Sequence, residues 1–125
     1  MIKAVRNYLV NDENLKLIVG NNVFLQEKPL EVEADTYICL LFKPLDGGVI
    51  KTYQLEIRCF GKNILKLIEL ENDLINALDW QRQKNIISEN CIICNSELLN
   101  GGGTITDENG VIERLLFFML KIKNK

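Results

Sequence analysis

The chain contains no histidine among its 125 residues. Histidine is the usual general base near neutral pH and the commonest metal ligand, so its absence excludes Ser-His and Cys-His nucleophile pairs and any histidine metal site. No apolar run approaches the ~20 residues that a membrane-spanning helix needs. We therefore expect no catalytic site, no cofactor and no membrane-spanning segment.

An excess of charge of one sign is also missing, because the formal net charge is only −2. A dedicated nucleic-acid-binding protein usually carries a clear basic excess, so this class is disfavoured. With 47% hydrophobic and 26% charged residues, the composition is that of a single globular domain spanning residues 1–125. Residues 1–6 lack the apolar core of a signal peptide, so we expect the protein to be made, and used or assembled, in the cytosol.

The cysteines each lie within or beside an apolar stretch: Cys39, Cys59, Cys91 and Cys94. This placement is typical of reduced thiols that serve as small hydrophobic side chains. Cys91 and Cys94 have the C-x-x-C spacing, but residues three apart on a strand point to opposite faces. A zinc site would need a second pair of ligands, and only two isolated cysteines remain for it. We therefore predict no metal site.

Apolar spacing predicts two helices. The first lies at the N-terminus and is followed by a short helical turn that begins at Asp12 and stops at Gly20, a typical end signal. The second spans residues 64–78, where apolar side chains recur every three or four positions after a candidate N-cap, Asn63.

Strands fill most of the remaining chain. A short strand at residues 23–25 precedes a polar, acidic loop at residues 26–35. The next strand is rich in β-forming residues and ends before Pro44, and the strand after it, residues 49–60, alternates apolar and polar side chains. We predict that these two strands form a hairpin whose turn is supplied by Asp46, Gly47 and Gly48.

A second hairpin is predicted in the last third of the chain. Residues 91–99 form one strand, the glycine-rich residues 100–110 a long, mobile loop, and residues 111–123 the closing strand. Together the elements predict an α+β fold, in which two helices pack on one face of a mainly antiparallel sheet of about four or five strands.

The closing strand carries an apolar row on each face, because six apolar residues occur in succession from Leu115 to Leu120. We expect one row to cover the core beneath the helices: Leu115, Phe117 and Met119. The other row then needs a cover, either from another segment of the same chain or from a neighbouring copy, and we expect a subunit contact there: Leu116, Phe118 and Leu120.

Two charged segments are better explained by solvation or by protection of a sheet edge than by a functional site. We interpret the acidic loop as a solvated segment, and a docking surface is the second interpretation. The loop carries Glu27, Glu31, Glu33 and Asp35. Lysines alternate near the C-terminus, at Lys121, Lys123 and Lys125, where such residues typically protect the edge of a sheet.

The order of these elements and their junctions resembles the small tail-completion proteins (tail terminator or head–tail joining proteins) of long-tailed bacteriophages. The resemblance covers nearly the full chain and rests on four segments, residues 17–24, 34–38, 53–61 and 74–78. It implies a structural virion protein, phage- or prophage-encoded and assembled in the bacterial cytoplasm. Such proteins form rings, commonly of six copies, that cap the tail tube and join it to the connector. The resemblance leaves open whether this chain is a tail terminator or a head-side adaptor.

The implied partners are further copies of this chain, tail-tube and connector proteins, and DNA that passes through the ring without sequence-specific contact. A closed ring needs a contact between two different patches. One hypothetical patch holds Leu116, Phe118 and Leu120. The other is either the acidic loop, with Glu31 and Glu33, or the hairpin turn at Asp46, Gly47 and Gly48.

The alternative interpretation is a small protein-binding or regulatory module that uses the open face of the sheet. It predicts a stable monomer or dimer with a defined concave pocket, whereas the ring interpretation predicts a larger oligomer.

Overall fold

In a computed structural model, which describes residues 1–81 and 83–125, the chain folds into helices on one side of a single sheet. The helices are α1 (Ile2–Val10), α2 (Glu13–Val19) and α3 (Ile64–Leu78). The strands are β1 (Val23–Leu25), β2 (Tyr37–Asp46), β3 (Ile50–Gly61), β4 (Ile86–Ile87), β5 (Cys91–Thr106) and β6 (Ile112–Asn124). The predicted α+β class is confirmed. The described residues form three helices and six strands, more than the two helices and about four or five strands that the sequence predicts.

The sheet has the strand order β1-β2-β3-β6-β5-β4. Only the pairing of β1 with β2 is parallel among the described strands, so the prediction of a mainly antiparallel sheet is confirmed. β6 lies between β3 and β5 and pairs with both of these strands. The last strand of the chain is therefore a central strand.

Local capping explains the helix boundaries. The Asn63 side chain accepts hydrogen bonds from the backbone N–H groups of Leu65 and Lys66, at 3.1 and 3.2 Å, and α3 has the predicted bounds. Asp12 is extended and accepts from the Leu15 N–H at 3.0 Å. Because Asp12 interrupts the N-terminal helix in this way, α2 is a separate helix rather than a turn appended to α1.

The core lies between the helices and one face of the sheet. All three helices contribute fully buried side chains, among them Leu9 of α1, Leu15 of α2 and Leu74 of α3. The sheet contributes a matching set from its inner strands: Ile38, Leu40, Leu55, Ile57, Cys59, Ile93, Leu116, Phe118, Leu120 and Ile122. The helices thus pack on one face of the sheet, as predicted. Trp80 joins this cluster and is 4% exposed.

The two apolar rows of β6 are exchanged relative to the prediction. Phe118 is 0% exposed, and Leu116 and Leu120 are also buried, beneath the helices. The row on the opposite face is only half-buried: Leu115, Phe117 and Met119. The expectation that Leu116, Phe118 and Leu120 are free for a subunit contact is therefore wrong, because the same chain covers them.

The register with β3 is the reason for this exchange. Antiparallel partners share a face of the sheet, and Phe118 pairs with Leu55 while Leu116 pairs with Ile57. Leu55 and Ile57 belong to the apolar face of β3, which the alternation of that strand predicts correctly. A shift of this pairing by one residue would send the other row of β6 to the core.

β2 continues through Pro44, where the sequence prediction ends the strand. β1 pairs with β2 only over Ile38, Cys39 and Leu40, so the remainder of β2 is an edge of the sheet. Proline is tolerated on an edge because its missing N–H removes no bond from the ladder. The hairpin with β3 is confirmed, and its turn follows Asp46.

The predicted glycine-rich loop is mostly strand, which corrects the assignment of residues 100–110. A side chain at Gly101 would meet Leu116 Cδ2 at 2.8 Å, so glycine allows β5 to pass close to the core. Gly103 has a φ of +77° and lies at a register shift between Gly102 and Thr104, as in a β-bulge.

Polar groups hold this hairpin of β5 and β6 in place. The Arg114 guanidinium donates to Glu71 of α3 and to the Thr104 hydroxyl, each at 3.0 Å. The turn itself lies at residues 107–110, where the Asp107 carboxylate accepts from the N–H groups of Asn109 and Val111. The glycine-rich segment is thereby tied to the helical layer.

Phe118→Ala is expected to lower the free energy of unfolding by about 3–5 kcal/mol, because it leaves a cavity in the core. Phe117→Ala is the matched control, with the same chemical change one residue away on the half-buried row, and we expect a loss of about 1 kcal/mol. Urea denaturation of both variants measures the difference. Equal losses would contradict the assignment of the two faces.

Gly101→Ala is expected to destabilise the chain by about 1–3 kcal/mol, since the new methyl group overlaps Leu116. Gly47→Ala provides the comparison, because open space surrounds Gly47 and we expect a change within about 0.5 kcal/mol. Thermal unfolding followed by circular dichroism tests both. A neutral Gly101→Ala would show that β5 does not need this close approach.

Candidate interaction surface

The face of the sheet opposite the helices, here called the open face, has an apolar centre. Its middle strand presents the half-buried Leu115, Phe117 and Met119. β3 runs beside them with Glu56 and Arg58, whose side chains form an ion pair at 2.7 Å. Because this pair is partly exposed, it adds little stability and serves mainly to solvate the flank of the apolar row.

One corner of the open face is covered by the acidic loop, residues 26–35. Cys39 points to the open face, opposite Arg58, yet is only 2% exposed. Lys28 of the loop lies near Cys39, to whose thiol its backbone N–H donates. The Lys28 ammonium lies 5.6 Å from the centre of the Tyr37 ring and donates to the Val32 carbonyl at 2.6 Å. Burial raises the pKa of the Cys39 thiol, and the Lys28 backbone N–H opposes that rise.

Aromatic rings continue the open face towards the same end of the sheet. Tyr37 stacks on Phe60 with ring centres 4.8 Å apart, and Phe24 meets Tyr37 edge-on at 5.9 Å. Next to this stack lies a cleft of about 210 Å³. Apolar and aromatic side chains line it together with two carboxylates: Tyr37, Phe60, Ile105, Val111, Asp107 and Glu113.

Carboxylates gather at this end of the strands, here called the acidic end. The register places Glu113 opposite Phe60, and the turn at residues 107–110 projects beyond them. The acidic loop leads into Tyr37 at the same end. The acidic end therefore comprises Glu31, Glu33, Asp35, Asp107, Glu108 and Glu113, whereas Glu27 follows β1 beside Leu40, further along β2. The neighbouring cations are Lys28, Lys62 and Arg114, of which Arg114 is paired with Glu71 of α3.

Lysines gather at the other end of the strands, here called the basic end. Ile50 pairs with Lys123 at the start of β3, and Thr52 pairs with Lys121. The lysines of the basic end are Lys43, Lys51, Lys121, Lys123 and Lys125. Asp46 lies among them, where its carboxylate accepts from the Thr52 N–H at 3.0 Å, and Glu89 lies in the turn before β5.

The end of the β2–β3 hairpin, at the basic end, carries exposed apolar side chains. Val49 is 80% exposed, Leu45 47% and Ile50 50%. Single exposed apolar residues are ordinary, but three on one turn form a small apolar knob. We call residues 45–50 the β2–β3 tip.

The structure separates the residues that the sequence suggested as an interface. Asp46, Gly47 and Gly48 are exposed on the β2–β3 tip at the basic end. Glu31 and Glu33 are exposed on the loop at the acidic end. These two groups lie at opposite ends of the sheet, so one copy does not bring them together, and their role in a subunit contact stays a prediction.

The thiols do not converge. Cys91 is buried with its Sγ 3.2 Å from the Ser88 hydroxyl, whereas Cys94 is half-buried with its Sγ 3.4 Å from the Lys121 carbonyl oxygen. Within residues 1–81 and 83–125, no group of three or more metal-ligating side chains is placed to hold an ion. No helix in the same part of the chain is long and apolar enough to cross a membrane.

The chemistry of the described residues is thus that of a surface with an apolar centre and charged ends. No protein-family model matches the chain, and no curated protein matches it. Among solved structures, a chain in the virion of a native gene transfer agent particle is similar, with a TM-score of 0.78. The likeness covers 97% of this chain and 92% of that chain at 16% identity, which establishes a shared fold.

The cleft and the separation of charge are the features that sequence reasoning missed. The sequence shows both the acidic loop and the alternating lysines, but taken separately they predict a solvated loop and a protected sheet edge. The signal that joins them is the strand register, because it places Lys123 at one end of β6 and Glu113 at the other.

Glu113→Gln is expected to lower the pKa of Tyr37. Burial is the main cause that raises the pKa of Tyr37 above its ordinary 10.0. The nearby negative charges of Cys39, Glu113 and Asp107 raise it further. Glu69→Gln on the helical side is the control and should leave the Tyr37 pKa unchanged. Titration of the Tyr37 ring by NMR measures both, and an unaltered pKa in Glu113→Gln would contradict a strong field at the acidic end.

The same shift has a consequence for stability. The folded chain keeps the Tyr37 proton at a pH where the unfolded chain has lost it, so stability falls as pH rises past about 10. Below that pH the contribution of Tyr37 to this dependence vanishes. Glu113→Gln should make the fall shallower.

Proposed function

We propose that this chain is a structural virion protein that forms a ring at the head–tail junction of a long-tailed phage or prophage particle. There it ends or caps the tail tube and joins it to the connector, without a catalytic role. The observation that carries the proposal is the shared fold with a chain of the gene transfer agent virion. Nearly the whole of this chain takes part in that likeness, so the sheet and its helical layer both belong to it.

The order of elements in the sequence supports the same proposal. The resemblance to tail-completion proteins rests on the N-terminal helical region, the β2–β3 hairpin and the passage from β3 into α3. The structure has each of these elements in the expected order. The ring, its commonly sixfold symmetry and its contacts with tail-tube and connector proteins belong to the proposal.

A ring also makes a physical demand that this chain can meet. Head-to-tail contacts join two different patches, and a ring results when the rotation between copies closes. The acidic and basic ends provide two such patches at a fixed separation along the strands. DNA passes through the resulting channel, for which no base-reading surface is needed.

Deletion of the gene from the phage or prophage that encodes the chain tests the proposal. We expect filled heads and separate tails in electron micrographs, and restoration of complete particles when the chain is supplied in trans. Gold-labelled antibody against the chain should mark the neck of complete particles. Complete tailed particles without the chain, or label confined to another part of the particle, would overturn the proposal.

The same micrographs separate the two roles that the resemblance leaves open. A protein that caps the growing tube limits its length, so its loss should give tails of irregular length. A head-side adaptor has no such effect, and its loss should give separate tails of uniform length.

A further inference from the structure

The two ends of the sheet are too far apart to neutralise each other. β3 runs from Ile50 at the basic end to Gly61 at the acidic end. At about 3.3 Å per residue this distance is about 36 Å. Charges in solution are screened beyond about 8 Å at physiological salt, so neither end stabilises the other within one copy. Each end instead presents a concentration of like charge that another molecule can compensate.

Solubility does not require this arrangement. A surface remains soluble when charges of both signs are interspersed, and crowding like charges together costs repulsion. Here the overall net charge is only −2, although the two ends carry opposite excesses. Segregation of this kind favours an oppositely charged partner at each end.

Both ends also carry apolar groups. The β2–β3 tip projects Val49, which is 80% exposed, and lysines lie on the strands beside it. The cleft of the acidic end has the Tyr37 and Phe60 rings in its lining, with Glu113 beside them. An apolar knob flanked by ammonium groups therefore fits an apolar cleft flanked by carboxylates.

We propose that copies of this chain associate head to tail, with the β2–β3 tip and lysines of the basic end of one copy seated on the cleft and carboxylates of the acidic end of the next. For its biological meaning the contact rests on the proposed ring function, to which it gives a subunit interface. DNA phosphates would account for the lysines, but a polyanion gives no account of the acidic cleft, so a second copy of this chain is the favoured occupant.

Two charge-reversal variants test the contact in purified protein. The basic-end variant combines Lys43→Glu with Lys123→Glu, and the acidic-end variant combines Glu108→Lys with Glu113→Lys. Sedimentation velocity at about 10 mM salt, where the Debye length is about 30 Å, measures self-association. We expect each variant alone to associate at least about tenfold more weakly than the natural chain.

Mixing the two variants gives the decisive result. When the two variants alternate head to tail, the reversed basic end of one faces the reversed acidic end of the other. The two unaltered ends face each other as in the natural chain. An equimolar mixture should therefore recover the association that each variant lost. The natural chain should also dissociate as salt is raised to about 1 M, where the Debye length is about 3 Å.

A matched control separates position from net charge. Lys16→Glu with Lys66→Glu makes the same change in net charge as the basic-end variant, but at exposed positions of α2 and α3 in the helical layer, whereas Lys43 and Lys123 lie on the opposite face of the sheet. It should associate within about twofold of the natural chain, as expected for surface changes outside the contact. A loss equal to that of the basic-end variant would overturn the proposal.

Three further outcomes would also overturn it. These are a natural chain that stays monomeric at every concentration in low salt, a mixture that stays dissociated, and a basic-end variant that loses binding to duplex DNA but keeps its self-association. None of these results concerns the gold labelling of particles, so the ring function can survive them. Conversely, recovery in the mixture with label away from the neck would retain the contact and overturn the proposed function.

Discussion

The burial of Phe118 between the helices and the centre of the sheet fixes which way every strand faces. β6 pairs with β3 on one side and β5 on the other, and paired residues share a face. Once Phe118 points to the helices, Leu55 of β3 does too, while Phe117 and Glu56 point to the open face. The core, the apolar centre of the open face and the ion pair beside it all depend on this one orientation.

Features encoded by neighbouring residues were predictable from the sequence. The bounds of α3 follow from apolar spacing and the Asn63 cap, and the faces of β3 follow from its alternation. The faces of β6 were not predictable, because both rows are apolar and only the pairing with β3 chooses between them. The loop predicted at residues 100–110 was wrong for a similar reason, because a run of glycines is typical of a loop. The close approach of Leu116 that requires glycine at position 101 is a tertiary contact, which the local sequence does not show.

The candidate surface depends even more on long-range information. Glu33 and Lys123 are far apart in sequence, and neither the loop around Glu33 nor the strand end around Lys123 indicates where the other lies. The antiparallel register turns the ends of several strands into two compact groups of opposite charge. The net charge of −2 does not reveal this separation, because a sum of charges contains no information about where they lie. The individual charged residues were therefore predictable, whereas their arrangement on the molecule was not.

The sheet connects the fold to the proposed assembly. A subunit of a closed ring must hold its two contact patches at one distance and angle, because small errors accumulate around the ring. A ladder of backbone hydrogen bonds through β3 and β6, packed on one side by helices, provides such a rigid spacer. The side chains that carry charge then lie where the strands end, outside the core. In the proposed ring, this fixed spacing would set the distance between one subunit contact and the next.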